Sequence, residues 1–143
     1  MIKLMVTRFN NETWIENCRW RENQDHTGCI YNTPTIIKEN ISLVIPIYVI
    51  EMNNDENKIM GIGKIKNNIS TKRHKIYTDN NYNRYSYLGK RIDREDIKDL
   101  NKLEELEKKL FKGKGHLKRG QGITSVSYNI SKDYLCYIIS QFN

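Results

Sequence analysis

The stretch that most constrains the fold runs from Ile41 to Lys66. Ile41 to Met52 (ISLVIPIYVIEM) is the densest Val- and Ile-rich run in the chain and reads as a strand. Asn53-Asn54-Asp55-Glu56-Asn57 follows as a turn cluster. Lys58 to Lys66 (KIMGIGKIK) then returns as a partner strand, which predicts a hairpin. Pro46 has no N–H to give a ladder, so it predicts an edge position or a bulge. Gly61 and Gly63, two residues apart, face the same side of the returning strand. Such glycines let a strand coil in a small barrel or let another backbone come close. The string GIGK lacks the spacing, and the Ser or Thr after Lys, of a Walker phosphate loop.

Other segments place themselves around this hairpin. Ile2 to Phe9 (IKLMVTRF) reads as a first strand, and Asn10 or Asn11 can cap a helix from Glu12 to Asn23. On that helix Trp14, Cys18 and Arg21 share a side, which assigns Trp14 to the core. Gly28 to Asn32 is a short strand ended by Thr33-Pro34, and Thr35 to Asn40 reads as one short helix. His74 to Tyr77 and Tyr82 to Arg91 read as two further strands. Asp93 to Leu110 is the clearest helix: Ile97, Leu100, Leu103, Leu106 and Leu110 make an apolar stripe, with Asp93, Glu95 and Asp96 at its start. Ile123 to Ile130 (ITSVSYNI) alternates as a strand does. Leu135 to Phe142 is compatible with either a strand or a short helix. Together these predict a single α+β domain over 1–143, a small curved mostly antiparallel β-barrel with flanking helices.

The net charge of +7 favours an anionic partner. Asn, Ile and Lys are abundant and Ala is absent, a bias of AT-rich coding that weakens any argument from Lys count alone. Three cysteines, Cys18, Cys29 and Cys136, share no CxxC spacing and fit reduced intracellular thiols. Lys3 and Arg8 interrupt any opening apolar run, so no signal peptide is expected. The longest apolar stretch, Leu43 to Ile50, is too short for a bilayer. His26, His74 and His116 lie outside metal-ligand spacing of any Cys, so no metal or cofactor is expected.

Function concentrates in Leu110 to Thr124 (LFKGKGHLKRGQGIT). Lys112, Lys114, Lys118 and Arg119 lie in it with no acid, spaced by Gly113, Gly115, Gly120 and Gly122. Glycine-rich backbone leaves N–H groups able to approach an anion, and phosphate is the obvious one. The stretch also reads as a solvated loop with Gly113 or Gly115 ending the preceding helix. His116, Gln121 and Thr124 are of the kinds that contact phosphate, sugar or base edges. In Tyr82 to Arg91, Tyr85 and Tyr87 share one face and Arg84 and Ser86 the other. Lys90 and Arg91 extend the charge. Interleaved rings and cations suit a single-strand or RNA platform, and equally a half-buried strand. Trp20, between Arg19 and Arg21, either stacks a base or packs beneath their stems. No catalytic constellation stands out. The enzyme alternative is a ribonuclease, with His116 as acid or base beside Lys114, Lys118 and Arg119.

Three blocks carry a resemblance: EMNNDENKIMGIGKIKNN (Glu51 to Asn68), YNRYSYLGKRIDRED (Tyr82 to Asp96) and LFKGKGHLKRGQGIT (Leu110 to Thr124). Together they resemble a family of short, uncharacterised proteins encoded by large nucleocytoplasmic DNA viruses of the giant-virus type. That resemblance implies a viral protein within an infected cell, in the host cytoplasm, the viral factory or the virion. The order of elements is also similar to the PUA-like superfamily, which includes the EVE, ASCH and YTH domains. That likeness implies binding of RNA, single-stranded DNA or a modified base. The expected partner is therefore nucleic acid and not a membrane. The alternative is a structural or adaptor protein that meets an acidic protein.

Overall fold

The computed structural model describes residues 2–38 and 40–143. Strand β1 (Lys3–Phe9) leads into helix α1 (Asn11–Asn23), then β2 (Cys29–Thr33), β3 (Ile47–Asn53), β4 (Lys58–Ile65) and β5 (Tyr85–Asp93). Helix α2 (Leu100–Phe111), the two-residue β6 (Thr124–Ser125) and helix α3 (Tyr128–Ser140) follow. The strands form one mixed, strongly curled half-barrel sheet in the order β2-β5-β4-β3-β1-β6. β1 runs parallel to β3, and the other ladders are antiparallel. No helix among the described residues is long and apolar enough to cross a membrane.

Alternation along the strands makes two cores. Leu4, Val6, Tyr48, Ile50, Met52 and Ile62 face α2 and α3, where Leu103, Leu106, Leu110, Tyr134 and Ile138 meet them. Each fully buried leucine there contributes about 1.5–3 kcal/mol relative to exposure. Met5, Phe9, Ile47, Val49, Tyr31 and Tyr87 point the other way, and Trp14 of α1 packs against them. α1 starts where expected: Asn10 accepts from the Thr13 N–H at 2.8 Å and Thr13 Oγ1 accepts from the Asn10 N–H, a reciprocal cap.

Several expectations are corrected. β3 begins at Ile47, so Pro46 stands just outside the ladder and β3 lies in the sheet interior between β1 and β4. Leu43 and Val44, expected in that strand, are exposed. The bulge falls instead between Glu51 and Met52. Residues 35–38 are not helical, and Glu39 is outside the described residues. Residues 74–77 form no strand, because Asn83 replaces one: its Oδ1 accepts from the Ile76 and Tyr77 N–H groups and its Nδ2 donates to Tyr77 O. β5 starts later than expected, after a 3-10 turn at Asn80–Asn83, and runs on to Asp93. Residues 93–99 precede α2 rather than belonging to it. Asp99, with φ of 61°, is the cap of α2 through the Lys102 N–H. The alternating ITSVSYNI yields only two strand residues before Ser127 caps α3, so the ambiguous C-terminal segment is helical.

Candidate nucleic-acid interface

The basic loop is shaped by glycine and anchored by three side chains from elsewhere. Gly113 (φ 78°), just past the end of α2, ends the helix, and Gly120 (φ 114°) and Gly122 (φ 74°) also have left-handed backbone. Arg8 Nε donates to Leu117 O at 2.5 Å and Arg8 Nη2 to Thr124 Oγ1 at 2.9 Å. Asn54 Nδ2 donates to Lys118 O at 2.8 Å, and Gln121 Nε2 donates to the Tyr82 hydroxyl at 3.0 Å. At Gly122 a Cβ would meet Thr35 Oγ1 at 3.1 Å, so the loop bridges from the β6 edge toward the chain leaving β2.

Lys112, Lys114 and Arg119 are exposed, Lys118 is half-buried, and none of them forms an ion pair among the described residues. Lys112 lines a groove with Glu56, Glu104 and Glu107, whose carboxylates compete for it. The other three cations have the stronger claim on an external anion. His116 is half-buried, and its Nδ1 accepts from the Lys118 N–H at 3.3 Å.

The remaining candidates divide into groups. Arg84 and Tyr85 line an open groove with Lys72 and Arg73. Lys90 lines another with Lys64 and Lys66, and Lys64 is its register partner across β4 and β5. Trp20 sits edge-on to His26 and His74, at ring separations of 5.7 and 5.4 Å. His74 in turn shares a hydrogen bond with Ser70 at the rim of the Arg84 groove. Burial, then Lys72 and His26, hold the His74 pKa below its usual value.

Two expected contacts are interior instead. Tyr87 is fully buried, and its hydroxyl accepts from the Ile37 N–H at 2.9 Å. The Arg91 side chain is 7% exposed and grips Glu51 through Nε and Nη2, with Nη1 on Asp93 at 2.9 Å. Burial alone would lower the Arg91 pKa, but the charge and hydrogen bonds of Glu51 and the Asp93 bond outweigh it and raise it. The Tyr31 hydroxyl also donates to Glu51, at 2.7 Å, and Arg91 lies over the Trp14 ring at 5.3 Å. Glu51, Tyr31 and Arg91 satisfy one another in the interior.

Sequence reasoning passed over Arg8, Lys64, Lys66, Lys72 and Arg73. The signal for Arg8 was parity: it follows Leu4 and Val6 by steps of two on a strand whose neighbours are buried. Lys64 and Lys66 flank Ile65 in the same alternating way.

Between the loop and α1 lies a cavity of about 260 Å³, lined by Arg8, Phe9, Asn54, Tyr82, Gly120 and Gln121 among others. No group of three or more His, Cys, Asp or Glu able to hold a metal occurs among the described residues. No protein-family model, curated protein or solved structure matches the chain.

Proposed function

We propose that the protein binds nucleic acid, RNA or single-stranded DNA, in a cell infected by a large DNA virus, on a PUA-like half-barrel. One observation carries the reading: Lys114, Lys118 and Arg119 project from a glycine-shaped loop that is tied to the body through neutral contacts and Arg8, leaving its cations without partner acids. Phosphate contacts of this kind fix a strand without reading its sequence. Arg84 with Lys72 and Arg73, and Lys90 with Lys64 and Lys66, extend the charge. Tyr82 and Tyr85, both part-exposed, are the rings available to stack bases. His116 and Gln121 would contact sugar or base edges.

The test is fluorescence anisotropy with labelled single-stranded RNA, single-stranded DNA and duplex DNA at low salt. Single strands should bind more tightly than duplex, because stacking needs unpaired bases. No binding to any of the three would retire the proposal. Incubating the bound RNA and looking for fragments tests the ribonuclease alternative directly.

A second reading, an adaptor meeting an acidic protein, is favoured by Leu43 and Val44, which are 68% and 75% exposed. The absorbance ratio of purified protein separates the two. Bound nucleic acid raises absorbance at 260 nm relative to 280 nm and high salt strips it. An acidic protein partner that withstands nuclease treatment supports the adaptor.

A further inference from the structure

We propose that the cavity under the glycine loop takes one phosphorylated nucleoside unit, free or at the end of a chain, with its phosphate drawn to Arg8. The inference rests on the nucleic-acid reading and names a subsite within it. Arg8 differs from Arg91 and Arg94 in what surrounds it. Arg91 is neutralised by Glu51 and Asp93, and Arg94 by Glu107. Arg8 has no acid partner among the described residues; it donates to a carbonyl and a hydroxyl, and its Nη1 is buried with no hydrogen-bond partner at all. A part-buried cation without a counter-charge is costly to keep, and the two bonds that tie Arg8 to the loop leave its charge uncompensated. Asn54 Oδ1, on the same cavity wall, is also buried and unpartnered.

The walls suit such a ligand. Arg8 is the one charged residue among those lining the cavity, which contains no carboxylate. In a poorly solvated recess an uncompensated cation favours an anion nearby even without touching it. Gly120 and Gln121, which line the cavity, donate their backbone N–H groups to no backbone acceptor among the described residues. Phe9 and Tyr82 supply aromatic surface. At about 260 Å³ the space is near the lower end of small-molecule sites and suits one unit rather than a helix of nucleic acid. Gly120 keeps the loop close, because a Cβ there would stand 3.3 Å from the Arg8 guanidinium.

Isothermal titration of the full chain with adenosine and uridine 5′-monophosphates, the matching nucleosides and inorganic phosphate tests this. A parallel series compares 5′-phosphorylated with 5′-hydroxyl RNA oligonucleotides. We expect at least one monophosphate, or the 5′-phosphorylated chain, to bind at least tenfold more tightly than its unphosphorylated match. Tighter binding of the monophosphate marks a free ligand, and tighter binding of the phosphorylated chain marks a chain end. Arg8→Met should lose that preference and Arg8→Lys retain most of it. Should the Arg8 variants melt before assay, Tyr82→Leu, at the part-exposed rim, should weaken monophosphate binding at least fivefold and leave inorganic phosphate unchanged. Oligonucleotide binding indifferent to the 5′-phosphate, with no monophosphate binding, overturns the subsite and leaves the proposed function standing. Loss of all binding in wild type overturns both.

Discussion

Two arginines differ by what surrounds them. Arg91 is held in a network in which Glu51 accepts from its guanidinium and from Tyr31. Removing the Glu51 charge leaves Arg91 with Asp93 alone and Tyr31 without its acceptor, so Glu51→Ala should cost about 3–5 kcal/mol in urea unfolding. The ionisable groups of the core also set an alkaline limit. Burial, followed by the Glu51 charge, pushes the Cys29 thiol up to about 12, and burial likewise raises Tyr31 and Tyr77. A group whose folded pKa lies above its unfolded value lends stability that is complete below the unfolded value and is lost as pH rises toward the folded one. For Cys29 that window opens near pH 9 and closes near pH 12. Within it stability should fall by about 1.4 kcal/mol per pH unit from this group alone, read by urea titration at stepped pH. At pH 8 a thiol reagent should label exposed Cys136 first and Cys29 only on unfolding, as peptide mass mapping would show.

Among elements, the expected β3–β4 hairpin forms, but at Gly63 a side chain comes close rather than another backbone. A Cβ at Gly63 would overlap the Tyr31 hydroxyl and ring, which that glycine admits to reach Glu51. Gly63→Ala should therefore cost about 1–3 kcal/mol, an overpacking penalty visible in thermal melts. At the start of α2, Asp99→Ala should cost about 1–2 kcal/mol by losing the cap, whereas Asp99→Asn, which keeps a cap oxygen and tolerates left-handed backbone, should stay within about 0.5 kcal/mol. Elements governed by neighbours in sequence were legible: the Asn10 cap, the Asn53–Asn57 turn, and in the stripe of α2 Leu103, Leu106 and Leu110, though Leu100 is exposed and Ile97 precedes the helix. Elements governed by distant partners were not. Asn83 takes the place of a strand beside Ile76 and Tyr77, which no local period announces. In ITSVSYNI, Val126 and Ile130 satisfy helical as well as alternating spacing, and the Ser127 cap decided for the helix. The candidate site was half legible for the same reason. The basic loop is contiguous in sequence, whereas the Arg8 that holds it is more than a hundred residues away.

At the scale of the whole molecule, the half-barrel and its loops gather cations into separate patches rather than one spread of charge. Gln121 and Tyr82 join the basic loop to the chain that enters β5, two residues before Arg84 of the second groove. Lys90 sits toward the other end of β5, with Lys64 and Lys66. This arrangement fits a strand that runs over the loop and along the start of β5, with the Lys90 patch as an outlying contact. The measurement that tests it most directly is the salt dependence of single-stranded RNA affinity for wild type and for Lys114/Lys118/Arg119→Gln. Counterion release predicts a linear fall of log affinity with log salt, with a slope shallower by about 2 in the variant. Equal slopes for the two proteins, or no RNA binding at low salt, would contradict the account.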